Sequence, residues 1–130
     1  MMTGLIWLVQ VVHYPSFHHI DQTQFRQFST FHTQNITYIV MPLMAVELLS
    51  SLVLVIRNPD PFNLSMIALL AIIWLSTAFI SVPCHNQLAH GYNAEVVDHL
   101  IRTNWIRTIA WTIKSALLVW TLFKQAPQPA

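Results

Sequence analysis

Two runs of the chain, residues 36–56 and 62–82, contain a single charged side chain between them, Glu47. A helix that crosses the hydrocarbon layer needs about 20 largely apolar residues, and each run is long enough. No other feature of the sequence restricts its fold as strongly. Between the runs lies Arg57-Asn58-Pro59-Asp60-Pro61. Such a short, proline-rich link predicts a tight turn, so the two runs form an antiparallel helical hairpin.

Two further apolar segments complete the plan. Residues 1–17 form a short one that Pro15 bends or ends; its brevity leaves room for a natural start upstream of Met1. It has neither the charged leader nor the small-residue cleavage site of a signal peptide, so it is expected to stay in the protein. Residues 103–123 form the last. Pro83 is expected to end the third run, and Pro42 to kink the second. The expected fold is all-α: an integral membrane four-helix bundle, with one multi-pass domain over 1–124 and a disordered tail at 125–130. Composition agrees. Only 8% of the 130 residues are charged, against about 25% in soluble domains. Net charge is +1 with no basic run, which argues against nucleic acid. The bilayer is the first expected partner. A lipophilic small molecule, a further copy of the chain and a larger membrane complex are candidates beside it.

Two polar stretches, 18–35 and 84–102, are expected as interfacial helical segments on one face of the bundle. Asp21 suits an N-cap, Phe25, Phe28, His32 and Ile36 recur on one helical face, and Gly91 with Asn93 marks a break. With four spans, His13, His18, His19, His32, His85, His90 and His99 all fall at this face. Adjacent residues point apart on a helix, so His18 and His19 are read as exposed to water.

Glu47 and Lys114 sit at similar depth near the middle of their spans. Opposite charges at one depth in the membrane predict an ion pair or a shared proton, serving either helix register or function. Asn104, Arg107, Trp111 and Lys114 recur at spacings of three, four and three. That polar stripe must face the bundle interior, where Asn104 and Trp111 are expected to line a pocket. Under the two polar stretches, the pocket would join His32, His85, Asn86 and Arg107. Imidazoles bind metals and move protons, so His32 and His85 are also metal-ligand candidates, although no standard zinc or di-iron spacing occurs. Cys84, Met41 and Met44 are read as packing residues.

Three stretches carry a family resemblance. They are His13-Tyr14-Pro15-Ser16-Phe17 with Phe25 and His32; Met41-Pro42-Leu43-Met44 through Glu47-Leu48; and Val82-Pro83-Cys84-His85-Asn86-Gln87-Leu88 with Asn104-Trp105-Ile106-Arg107-Thr108. In order and spacing the chain resembles the anthrone-oxygenase-like family of small four-helix membrane proteins. Most members of that family have no assigned reaction; some oxidise an anthrone to a quinone with O₂ and no evident cofactor. The resemblance implies a polar site containing His32, Asn86 and Arg107. Lys114 and the additional histidines depart from that pattern and leave a metal-dependent variant open.

Three functions therefore compete. The first is a membrane oxidoreductase for a lipophilic aromatic substrate, with His32 or His85 as base, Arg107 and Asn86 holding an oxyanion, and no cofactor required. The second is a haem- or transition-metal-binding membrane protein. The third is a structural or accessory subunit of a larger membrane complex, in which the polar stripe pairs internally and leaves no pocket.

Overall fold

A computed structural model describes residues 2–125. The expected tail falls largely outside them, at 126–130. Every regular element among the described residues is helical. The first rod is α1 (Met2–Leu8), a π turn at Val9–His13, α2 (Tyr14–Ser16) and a 3₁₀ turn at Phe17–His19. The second is the 36-residue α3 (Gln22–Arg57). The third is α4 (Pro61–Ser76), a π turn at Thr77–Ser81 and α5 (Val82–Leu88). The fourth is α6 (Ala94–Gln125). Three helical stretches, Gln22–Arg57, Pro61–Leu88 and Ala94–Lys124, are long and apolar enough to cross a membrane.

The prolines do not stop the rods where the sequence suggested. Pro15 and Pro83 each follow a π turn, in which Tyr14 N–H bonds back to Val9 O and Val82 N–H to Thr77 O. In a regular helix a proline ring meets the carbonyl four residues before it. For these two prolines that carbonyl belongs to Val11 or Phe79, inside the wider turn, and the helix continues. Pro42, expected to kink its run and not to end it, lies inside the continuous α3.

Nor are the polar stretches separate segments. Asp21 caps α3, its carboxylate accepting from Thr23 Oγ1 at 2.6 Å and Thr23 N at 2.8 Å. Those bonds hold the carboxyl below its usual range, so the cap's contribution is present at neutral pH and lost only as pH falls through that lowered value. From Asp21 no breaker intervenes before Pro42, and the face of Phe25, Ser29 and His32 stays buried. The expected segment and the second run are therefore one helix, about 54 Å long, well beyond the roughly 30 Å of a hydrocarbon layer. Likewise, 84–102 divides between α5 and α6 around a short turn.

Helix α6 is the centre of the molecule and packs against α1, α2, α4 and α5. Among its buried residues are the short side chains of Asn104, Thr108 and Ala110, which let neighbouring backbones approach on more than one side. A polar seam fixes α1 to α6. Thr3 Oγ1 donates to Trp111 O (3.2 Å), Trp7 Nε1 to Thr112 Oγ1 (3.1 Å) and Gln10 Nε2 to Ile101 O (3.1 Å). The α3–α4 hairpin closes through Asp60, which accepts from Asn63 N at 2.7 Å and precedes Pro61 at the start of α4.

Gly91 turns the chain into α6 at φ +148°. A Cβ there would meet nothing within 4 Å, so a side chain would be penalised by the backbone alone. Gly91→Ala is expected to cost about 1–3 kcal/mol, read from thermal unfolding in mild detergent, with no loss of helicity in the folded protein.

Candidate functional site

The site draws on both π turns, each of which packs against α6. The first turn delivers His13 and, just beyond it, Tyr14. The second delivers Ser81 and precedes His85 by one helical turn; Thr77 stands at its start. Opposite them, α3 contributes His32 and α6 contributes Arg107. π turns re-aim side chains and are common at functional sites.

Arg107 organises the polar contacts. It is 6% exposed. Its Nη2 donates to Tyr14 OH (3.2 Å) and to Asn104 Oδ1, and its Nη1 reaches Thr77 Oγ1 at 3.5 Å. Asn104 Nδ2 in turn donates to Gln10 Oε1 at 2.8 Å, which also accepts from Thr108 at 3.3 Å. Tyr14 OH lies 3.2 Å from His85 Nε2. Because guanidinium is donor-only, Tyr14 oxygen accepts from Arg107 and its proton goes to His85 Nε2. In a neutral ring the His85 proton then sits on Nδ1, which is buried without a partner.

His32 differs. Its Nδ1 lies 2.8 Å from His13 Nε2, and its Nε2 is buried and unpaired. When His13 accepts, His32 keeps a free Nε2 lone pair, the form a general base needs. The His32 and His85 ring centroids are 5.7 Å apart. Phe17 packs edge-on against both His13 and His32, and His13 is only partly buried, so the pair runs from the interior toward the surface.

These groups stand at one end of a cavity of about 250 Å³. His32, His85, Asn86, Arg107, Tyr14 and Trp111 all line it. Asn104, expected in the lining, is instead fully buried behind Arg107 and positions it. Asn86 is exposed at the cavity edge. It makes no side-chain hydrogen bond to the other site residues; its carbonyl accepts from His90 Nδ1 at 2.9 Å. The remaining wall is mostly apolar, formed by Ile6, Ile36, Val40 and Met44 among others, with the hydroxyls of Thr33, Thr37 and Ser81 set in it.

Glu47 and Lys114 lie 2.6 Å apart, and Trp111 Nε1 donates to the second carboxylate oxygen at 3.0 Å. Trp111 thus joins the cavity to the ion pair. His18 approaches Tyr92 OH (2.9 Å) and Asp98 (3.1 Å) on the surface. His18, His19, His90 and His99 stay outside the cavity lining. Among the described residues, no three His, Cys, Asp or Glu side chains converge to hold a metal ion; the imidazole nearest to His32 is that of His13.

Gln10, Tyr14 and Thr77 were not singled out from the sequence as site residues. A signal for the first two exists: Thr3, Trp7, Gln10 and Tyr14 recur at spacings of four, three and four on an otherwise apolar segment, the mate of the α6 stripe. Compared with family models, curated proteins and solved structures, the chain matches none.

Proposed function

We propose that this chain is a four-span integral membrane protein, and that the cleft between α1 and α3 binds a lipophilic substrate for oxidation. The membrane reading rests on what the helices leave uncovered. In the most apolar window of α3 only 11% of residues are buried, and Tyr38, Ile39, Val46, Leu49 and Ile56 are all exposed. Water would disfavour such a surface; lipid does not. The first rod, held along α6 by its polar seam, supplies the fourth span.

The observation that carries the functional reading is the apolar cavity with His32, His85 and Arg107 gathered at one end. That arrangement suits an acidic carbon or phenol next to an oxygen function. His32 Nε2 takes the proton. Arg107 and the His85 Nδ1–H stabilise the oxyanion that develops, inside a region of low dielectric where such donors act strongly. The electron-rich enolate then transfers electrons to O₂. A C–O bond forms to give a hydroperoxide, and loss of water from it leaves the new carbonyl. This is the chemistry that the anthrone-oxygenase resemblance implies. A chain acting only as an accessory subunit has no need of a cavity here.

The test is O₂ consumption and quinone absorbance when purified protein, in nanodiscs, is given an anthrone or an alkylated phenol. His32→Asn is expected to lower turnover about 10²–10⁴-fold, the range for a positioned general base, with helicity and melting temperature retained. Turnover unchanged in His32→Asn would remove His32 from the reaction.

A further inference from the structure

The shape of the cavity and the charge at its head narrow the ligand further. His32 and Met44 both line it yet lie about 18 Å apart along α3. Met2 and Tyr14 mark a similar length along the first rod. The lining of this cavity of about 250 Å³ thus extends over more than three turns of α3, so the space is elongated along the helix. The wall below the histidines carries no charged side chain, only the Thr33 and Thr37 hydroxyls among apolar groups and Trp111.

At the head stands a cation without a counter-ion. Every partner of Arg107 is neutral: Tyr14, Asn104 and Thr77. Its Nε is buried with no acceptor. Among the described residues the ion pairs are Lys114–Glu47 and His18–Asp98, and neither touches it. An unpaired guanidinium in a low-dielectric interior is costly, and an anionic oxygen in the cavity would supply both the charge and the missing acceptor. His85 Nδ1, also unpartnered, offers a second donor at the same end.

We infer that the cleft takes a single-chain amphiphile, with an anionic oxygen head (carboxylate or phenolate) on Arg107 and an unbranched hydrocarbon tail running between α1 and α3 to Met44. This rests on the proposed reading of the cleft as a ligand site and specifies the class of molecule it holds, of which only a phenolic head would also be oxidisable there. The α1 and α3 backbones each pack on other helices rather than closely on one another, which gives the tail a lateral way in from the bilayer. A tail that leaves lipid gains nothing from escaping water, so chain-length preference follows from fit to the cavity.

The experiment uses the whole protein in nanodiscs with parinaric acid, a fluorescent polyene fatty acid, as the probe. Saturable binding is expected. Palmitate and pentadecylphenol should displace the probe, and the tighter of the two identifies the head. Hexadecanol, with the tail but no charge, should compete about tenfold or more weakly, the scale of one charge-assisted hydrogen bond. Arg107→Gln should weaken the probe by a similar factor, and Arg107→Lys should restore part of it. Val40→Trp should block binding with the head intact, circular dichroism confirming that each variant folds. Hexadecanol competing as well as palmitate overturns the anionic head. Binding of a rigid three-ring anthrone but not of parinarate overturns the tail and leaves the ligand-site reading standing. Binding of none of these probes defeats both.

Discussion

Lys114→Met is expected to destabilise the folded protein by about 3 kcal/mol, the low end of the penalty for stripping one partner from a buried ion pair, because the Glu47 side chain keeps 21% of its surface. Lys114 is 4% exposed and its ammonium lies 2.6 Å from Glu47. Without it, Glu47 keeps only the Trp111 indole as a donor, and the lone carboxylate must take up a proton or draw in water. The double variant Glu47→Gln/Lys114→Met should recover most of that loss. Replacing both members of a buried pair with neutral groups of similar size is often close to neutral, because the desolvation penalty disappears along with the attraction. Unfolding in mixed micelles with increasing SDS measures both effects. A single-variant loss below about 1 kcal/mol would show the pair to be well solvated. The route for that water would be the neighbouring cavity of about 210 Å³, which Ser50, Ser51 and Asn63 line.

The pairing of Glu47 with Lys114 was legible in the sequence because charge in an apolar run is rare and depth follows directly from helical rise. The α6 stripe was legible for the same reason: Asn104, Arg107, Trp111 and Lys114 keep helical period in a segment where a polar face has nowhere to go but inward. Its mate on the first rod was harder to see. Thr3, Trp7 and Tyr14 are each ordinary near a membrane surface, and only their joint spacing with Gln10 reveals a seam. Pro15 and Pro83 misled because a proline is normally a helix boundary; the π turns that absorb them depend on tertiary packing and leave no local mark. The continuity of α3 through 22–35 was hidden by composition. Gln22, Gln24, Arg26 and Gln27 read as a surface segment, whereas the buried stripe of Phe25, Ser29 and His32 follows the same helix that later becomes apolar. Asn86 was placed in the site by its position beside His85 and again by resemblance, and it lines the cavity edge without a side-chain hydrogen bond to the rest.

Arg107→Gln should behave in the opposite way to Lys114→Met, although the two cations lie two helical turns apart and both are buried. Lys114 has an acid beside it; Arg107 has only neutral acceptors. Removing Arg107 leaves Tyr14, Asn104 and Thr77 with groups that a glutamine amide or each other can partly satisfy, and it relieves an uncompensated charge. Stability is therefore expected to change by no more than about 1 kcal/mol, near the net value of an ordinary intramolecular hydrogen bond. Turnover on the oxidisable substrate should fall about 10²–10³-fold, as when a single oxyanion-stabilising donor is lost. Parallel SDS unfolding and O₂-consumption measurements separate the two quantities. A fall in stability comparable to that of Lys114→Met would mean that Arg107 serves the bundle, with Gln10, Asn104 and Thr108 as its structural network. Retained stability with lost turnover would mean that the unpaired guanidinium serves the anion that visits it and not the bundle.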